Sequence, residues 1–223
     1  MNEIVKTAKD ELKKMSRSPI MENIKTGELR KLAATLFREI KERTTDEIFG
    51  VCYELLEERS WELGVIAYEI AYRIKKQYDE KTFFIFEDWL IKYIRGWGDC
   101  DDFCTHAFGE LICQKPELVS NLIPLTKHDK FWVRRGAAVV LIPSIRQNKY
   151  GETNPFQICD LLMLDEHKSV LQGYGWTLKE LSRKEPELVF DYMQKHREVM
   201  PRLAYRHSMQ RMDKDKRKLL MAK

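Results

Sequence analysis

The sequence predicts an all-α fold, an α-solenoid of HEAT-like repeats in which each repeat is a pair of antiparallel helices. Apolar residues recur at helical spacing along most of the chain, and the alternation typical of strands is nearly absent. Connections between the predicted helices are short, often a proline or a polar pair, as in helix hairpins. Similar segments also recur at intervals of one or two helix pairs, about 35 residues each, which is typical of solenoids.

The predicted helices follow one another with little chain between them. The first two are defined by apolar residues at helical spacing: Leu29, Leu32, Leu36 and Ile40, then Phe49, Cys52, Leu55 and Leu56. The segment Thr44-Thr45-Asp46-Glu47 predicts a capping box at the start of the second helix. Further helices are predicted over about residues 60–77, 80–95, 100–114, 117–128, 130–147, 155–165, 167–184, 187–197 and 200–212.

Two internal similarities support the repeat. Lys115-Pro116-Glu117-Leu118-Val119 resembles Glu185-Pro186-Glu187-Leu188-Val189, and a proline followed by a glutamate and an apolar pair is typical of a helix start. Arg135-Gly136-Ala137-Ala138 and Gln172-Gly173-Tyr174-Gly175 have similar spacing of small residues, which allow neighbouring helices to approach closely. An irregular helical bundle is the alternative to the solenoid.

Length and composition describe a globular protein. The 223 residues, 43% hydrophobic and 33% charged, fit one domain over 1–223 with a basic C-terminal helix or tail at about 201–223. The strongly apolar run from Ala137 to Pro143 is too short to span a bilayer, and no signal peptide is visible between Met1 and Lys14. Five cysteines without framework spacing favour reduced thiols. We therefore expect a cytoplasmic protein.

Positive charge is concentrated at the C-terminal end. The chain carries a net charge of +4, but residues 201–223 hold eight Lys and Arg against Asp213 and Asp215. This tail is compatible with contact to a polyanion and equally with a solvated terminal helix. Cations also recur near the starts of the candidate inner helices, at Arg134, Arg135, Lys168, Arg202 and Arg206. They favour a nucleic-acid track, with ordinary solubilising residues as the alternative.

The most informative segment is Trp97-Gly98-Asp99-Cys100-Asp101-Asp102. Gly96 and Gly98 predict a break after the helix ending near Ile94, and Asp99 or Asp101 is predicted to cap the next helix. One interpretation is a capping cluster beside a packed tryptophan. The other is an aromatic wall beside a carboxylate that stabilises positive charge. Two further segments are similarly informative: Phe131-Trp132-Val133-Arg134-Arg135 and Gly173-Tyr174-Gly175-Trp176-Thr177-Leu178.

Together these segments resemble the AlkD-type DNA alkylation repair glycosylases, a HEAT-like repeat family. The family's Trp and Asp four residues apart are matched by Trp97 and Asp101, and its Arg three residues after a Trp is matched by Arg135. A Gly-Trp pair on a later helix is matched by Gly175 and Trp176. The resemblance runs from about Glu28 to about Arg206 and includes the basic helix containing Arg202. The chain differs from the pattern at Gly96 and Gly98, and in the extra carboxylates Asp99 and Asp102.

The resemblance implies a DNA glycosylase, a base excision repair hydrolase acting on double-stranded DNA. It implies cleavage of the N-glycosidic bond of cationic N3- or N7-alkylated purines without metal or organic cofactor. Asp101 would stabilise the oxocarbenium-like sugar and orient a water, while Trp97 and Trp176, with Tyr174 as a further candidate, would offer π faces. Arg135, or its neighbour Arg134, would hold a phosphate near the lesion. Lys168, Arg202 and Arg206 would contact DNA elsewhere, and we expect a monomer.

Two other classes of protein remain as alternatives, whereas a metal site and a nucleotide cofactor are disfavoured. A non-catalytic HEAT-like scaffold that binds DNA or protein would share the same features, and an RNA-binding helical repeat protein is a weaker alternative. Cys100, Cys104 and His106 suggest a metal site, but the chain contains no CxxC pair, so no metal is expected. No Gly-rich phosphate loop is present, which disfavours a nucleotide cofactor.

Overall fold

The computed structural model describes residues 2–15 and 24–222, and within them the chain forms fourteen α-helices, four 3-10 segments and no strand. The predicted all-α class is therefore confirmed. In this part of the chain, no helix combines the length and the apolar character needed to cross a membrane.

The helices follow in close succession along the chain. Helices α1 to α7 are Glu3–Met15, Thr26–Ile40, Thr45–Glu57, Trp61–Arg73, Glu80–Lys92, Trp97–Cys104 and Ala107–Gln114. Helices α8 to α14 are Phe131–Val139, Ile142–Arg146, Pro155–Leu162, Lys168–Leu181, Pro186–Lys195, Arg202–Ser208 and Lys214–Met221. The 3-10 segments are Lys75–Gln77, Pro116–Leu122, Pro124–Lys127 and Met209–Arg211.

The chain divides into two compact units, Met1–Asp88 and Trp89–Lys223. In the first, α4 packs against both α2 and α3, and α1 packs on the same two helices. The predicted capping box is confirmed, because the Thr44 hydroxyl accepts the Glu47 N–H while the Glu47 carboxylate accepts the Thr44 N–H. One fold domain over 1–223 stays a prediction.

The second unit contains the segments that sequence analysis singled out. Here α6 packs on α8, α8 packs on α11, and α11 packs on α13. We call these four helices the helix row. Side chains one repeat apart in sequence are joined by hydrogen bonds, for example from Tyr150 to Glu185, 35 positions later, and from Arg146 to Glu180, 34 positions later. Both separations are close to the repeat length predicted from the sequence.

Two of the predicted small residues allow close approach within this unit. A Cβ atom added at Gly136 would lie 2.9 Å from Leu90 Cδ2, and one added at Gly173 would lie 3.0 Å from Arg135 Cγ. Both distances are shorter than ordinary van der Waals contact. The prediction that the glycines at these positions bring elements together is confirmed.

Several predicted helix boundaries were wrong. Two short 3-10 segments, beginning at Pro116 and Pro124, lie where one helix was predicted over 117–128; Pro124 falls inside that range and cannot donate the backbone hydrogen bond of a continuing helix. Pro143 likewise accompanies the break between α8 and α9. The helix predicted over 100–114 is interrupted between Cys104 and Ala107. At the C-terminal end, α13 and α14 form within the basic helix or tail predicted over about 201–223.

The predicted cap of α6 was also wrong. Gly96 is the N-cap, and the helix begins at Trp97, so Asp99 lies in its first turn and Asp101 deeper inside it. A carboxylate in the first turn still interacts favourably with the helix dipole. Asp101 does not cap the helix, and its carboxylate is available for a contact with a neighbouring helix.

Candidate functional site

A buried ion pair lies at the centre of the helix row. Asp101 of α6 receives two hydrogen bonds from Arg135 of α8, from Nε to Oδ1 at 2.7 Å and from Nη2 to Oδ2 at 2.7 Å. Arg135 also donates from Nη1 to the backbone carbonyl of Ser169 on α11. The pair therefore connects three successive helices of the row.

The pair differs in burial between its two members. Arg135 is only 5% exposed, whereas the Asp101 side chain keeps 18% of its surface accessible. Because a carboxylate has about four lone-pair sites, the two bonds from Arg135 fix its plane and leave acceptor capacity for a water or another donor. The arrangement holds an oriented carboxylate at a partly accessible position.

Trp97 lies one helical turn before Asp101 and is open to solvent. Its side chain is 61% exposed, and residues four apart on a helix are neighbours on one face. A Cβ atom at Gly96 or Gly98 would meet nothing within 4 Å, so the two chain positions that flank Trp97 are open as well. Exposure of a large aromatic ring beside a carboxylate is unusual for a packing residue and suits a ligand surface.

Trp176 of α11 belongs to a second cluster. Its indole N–H donates to Glu180 Oε1 at 3.1 Å, and the charged groups of Arg146 and Lys179 lie 5.6 and 5.9 Å from its ring centroid. Burial favours the protonated form of Glu180, but hydrogen bonds from Arg146 and Trp176 and the charges of Arg146 and Arg183 outweigh it and lower the pKa. The Trp176 indole is thus held by a hydrogen bond to the Glu180 carboxylate and lies near the charged groups of Arg146 and Lys179.

Lys179 connects this cluster to α13. Its ammonium lies 3.4 Å from His207 Nε2, and burial together with the charges of Lys179 and Arg135 lowers the pKa of His207. Burial is also the main reason that the pKa of Lys179 is lowered, and the nearby cations Arg211 and Arg146 add to it. Positive charge is therefore concentrated around Trp176.

No pattern in the sequence predicted this cationic cluster. Arg146, Lys179 and Arg211 are separated by 33 and 32 residues, so no local motif contains two of them. Their spacing is close to one repeat, however. Cations that recur at this interval are the sequence signal that could have identified the cluster. Nothing local in the sequence indicated that Phe131 stacks on His167, with ring centroids 3.8 Å apart.

The other predicted cations occupy two kinds of environment. Arg134 forms a bidentate pair with Asp165 and also donates to the backbone carbonyls of His128 and Asp129, so its guanidinium is engaged by the protein. Lys168, Arg202 and Arg206 are exposed on the helix row. The structure therefore joins Asp101 with Arg135 and leaves these three side chains accessible. Their contact with DNA stays a prediction.

The cysteines beside the ion pair are packed in the interior. Cys100 and Cys104 are buried with their sulfur atoms 3.9 Å apart, and the Cys100 thiol donates to the Trp132 carbonyl at 3.2 Å. Burial raises the pKa of the Cys104 thiol. Across the described residues, no group of three His, Cys, Asp or Glu side chains is arranged to hold a metal ion.

Solved structures with the same fold come from bacterial relatives. A protein described as a "predicted DNA alkylation repair enzyme" from Enterococcus faecalis is 16% identical, with a TM-score of 0.76 over 95% of this chain and 96% of that chain. AlkD2 from Streptococcus mutans is 18% identical, with a TM-score of 0.66 over 92% of this chain and 99% of that one. The protein smu.31 from Streptococcus mutans UA159 is also similar, with 18% identity and a TM-score of 0.67 over 94% and 100% of the two chains.

These similarities confirm the predicted fold, an α-solenoid of helix-pair repeats. Among curated proteins, none matches the sequence. A protein-family model described as DNA alkylation repair enzyme matches residues 6–212, which is nearly the whole chain. The resemblance inferred from Trp97, Asp101, Arg135 and Trp176 is therefore confirmed: the chain belongs to the DNA alkylation repair enzyme family.

Proposed function

We propose that this chain is a DNA glycosylase that hydrolyses the N-glycosidic bond of cationic N3- or N7-alkylated purines in duplex DNA. The observation that carries the proposal is the Asp101 carboxylate, oriented by Arg135 and lying one helical turn from the exposed ring of Trp97. We further propose that it acts in the cytoplasm as a monomer without an organic cofactor.

The chemistry needs little more than a well-placed carboxylate. An N-alkylated purine is already positively charged, so the base departs with the bonding electron pair and becomes neutral without a general acid. Positive charge then develops on the sugar, as in glycoside hydrolysis, where a nearby carboxylate stabilises it. Asp101 orients a water whose oxygen bonds to C1′ and whose proton is released.

The two tryptophans serve different parts of the substrate in this proposal. The open ring of Trp97 suits contact with the cationic nucleotide, a cation–π contact of roughly 1–2 kcal/mol when desolvated. Trp176 shares its surroundings with Arg146 and Lys179, and these cations suit the phosphates that flank the lesion.

The geometry favours a positioning role for Arg135. Its Nε, Nη1 and Nη2 groups all donate within the protein, so we propose that it holds the Asp101 carboxylate in place. Direct phosphate contact by Arg135 or Arg134 stays a prediction. The exposed side chains of Lys168, Arg202 and Arg206 are better placed for that contact.

A base-release assay tests the proposal directly. Duplex DNA methylated to contain 7-methylguanine and 3-methyladenine is incubated with the wild type and with Asp101→Asn, and the free bases are quantified. We expect Asp101→Asn to reduce the release rate at least about 100-fold, the usual order for removing one transition-state charge contact, while duplex affinity stays nearly unchanged. Asp99→Asn, the same charge change in the first turn of α6, is the matched control and should retain release.

Because Asp101 also balances Arg135, the folded fraction of every variant is measured by circular dichroism at the assay temperature. If the wild type releases neither base, the glycosylase proposal is refuted. The second candidate, a non-catalytic DNA-binding scaffold, then takes its place. One observation favours that candidate: both Asp101 oxygens are already engaged by Arg135, as in a purely structural ion pair.

A further inference from the structure

The basic C-terminal segment is a docked helix. Lys216 of α14 forms an ion pair with Glu187 of α12 at 2.8 Å. Leu220 is buried, and the Tyr205 hydroxyl donates to its carbonyl at 3.3 Å. These contacts fix the rotation of α14 about its axis. The segment is therefore a terminal helix that is packed on one side and exposed on the other.

Docking of α14 creates a groove against α13, here called the α13–α14 groove. Its volume is about 500 Å³. Four cations and two apolar side chains contribute to its lining: Arg206, Lys214, Arg217, Lys218, Met209 and Met221. Lys214, Arg217 and Lys218 share one face of α14 because residues three and four apart on a helix are neighbours.

The acidic residues of the same segment take no part in the groove. Among the described residues, no Asp or Glu lines the groove. The Asp213 carboxylate accepts the Lys216 N–H at the start of α14 and forms an ion pair with the Lys216 ammonium. Lys216, in turn, is used to hold α14 in place. The described residues that line the groove therefore carry four positive charges and no negative charge.

We propose that the α13–α14 groove binds the phosphate backbone of duplex DNA, as an extension of the surface that begins at Asp101. This inference rests on the proposed function, because it assumes that the substrate is DNA. Charge complementarity supports it, and so does continuity: α13 is the last member of the helix row and already carries the exposed Arg202 and Arg206. The two methionines offer apolar contact to deoxyribose carbons, while the cations meet the phosphates on either side.

The experiment compares the salt dependence of duplex binding. The triple variant Lys214→Gln, Arg217→Gln and Lys218→Gln removes three groove charges and leaves Lys216 and the docking contacts intact. The matched control is Lys13→Gln, Lys14→Gln and Lys41→Gln, which removes three charges from exposed positions of α1 and the end of α2. Affinity for an unmodified duplex is measured across a series of salt concentrations.

We expect the slope of log affinity against log salt to become less steep by roughly 2 to 3 in the triple variant, since each phosphate that the protein no longer neutralises reduces the slope by about 0.9. The control should keep the wild-type slope. A triple variant with the control's slope overturns the inference and leaves the proposed function standing. A wild-type slope near zero refutes DNA binding altogether, and so distinguishes failure of the proposed function.

An acidic protein partner would give a different result. Poly-glutamate is titrated against the wild type and the triple variant as a probe of that chemistry. Weaker poly-glutamate binding by the triple variant with an unchanged DNA slope would assign the groove to a protein and overturn the inference. A less steep DNA slope with little effect on poly-glutamate supports it.

Discussion

At the scale of single residues, the interior position of Arg135 makes its counter-ion a structural necessity. A charge removed from water requires hydrogen-bonded compensation, which Asp101 and the Ser169 carbonyl supply. The same carboxylate is the group that we propose for chemistry. The Asp101 side chain thus both compensates the charge of Arg135 and takes part in the proposed chemistry. Variants of Asp101 must therefore be examined for folding as well as for activity.

Arg135→Met should destabilise the protein by about 3 kcal/mol, since removing one partner of a buried ion pair leaves the other without compensation. The figure is at the low end of the usual range because the Asp101 side chain keeps some access to water. Urea unfolding gives the measurement, and Lys168→Met, an exposed change, should stay within about 0.5 kcal/mol of the wild type. A destabilisation below about 1 kcal/mol would contradict the structural role of the pair.

The sequence was enough to select Asp101 as a site residue. It did not show that Arg135 is the hydrogen-bonding partner of Asp101. Trp97 and Asp101 were associated through the resemblance to the family's Trp and Asp four residues apart, a spacing that places two residues on one helix face. Arg135 was predicted to face a phosphate, because nothing local in the sequence indicates that its side chain turns toward a carboxylate 34 residues earlier. Pairings of this kind depend on packing between successive repeats.

At the scale of helices, glycines decide where two elements can touch. Gly109 of α7 lies against α9, and a Cβ there would be 2.4 Å from Pro143 Cγ and 2.5 Å from the Cys104 carbonyl oxygen. Gly50 of α3 lies in open space, with nothing within 4 Å of the same added atom. An alanine at Gly109 and an alanine at Gly50 should therefore change the stability of the protein in opposite directions.

Gly109→Ala should destabilise the protein by about 1–3 kcal/mol through overpacking against a ring and a backbone atom that cannot move aside easily. Gly50→Ala should stabilise it by roughly 0.5–1 kcal/mol, because alanine is the better helix former at an exposed interior position. Thermal and urea unfolding of both variants provide the comparison. Equal effects of the same sign would show that the contact of α7 with α9 is looser than described.

Helix existence was easier to predict than helix continuity. Periodic apolar residues identified the helices around Leu29 and Leu55, and both side chains are buried. The segments around Pro124 and Pro143 carried similar apolar content, but each proline removes a backbone donor and changes the local geometry. Apolar composition averaged over a window does not detect this effect, so the helices predicted over 117–128 and 130–147 are not continuous in the structure.

At the scale of the whole molecule, DNA binding should appear as added stability. A ligand that binds only the folded protein stabilises it by about 2.7 kcal/mol at 100 times its Kd. For a chain of this size, that corresponds to a rise of roughly 5–10 °C in Tm. The measurement is thermal unfolding with and without a short duplex at low salt, repeated at about 0.5 M salt.

The rise should disappear at the higher salt concentration, because phosphate contacts weaken steeply as counterions are added. An unchanged Tm at low salt with saturating duplex would count against DNA as the ligand. A rise that persists at high salt would indicate a contact that does not depend on phosphate charge.

The burial of the sulfur atoms has a consequence for the conditions in which such a protein works. Agents that alkylate DNA are electrophiles, and protein thiolates are among their most reactive targets. All five cysteines are buried, and burial raises the pKa of Cys52, Cys104 and Cys159, so these thiols stay protonated and out of reach. We therefore expect a repair protein built in this way to resist chemical inactivation by alkylating agents.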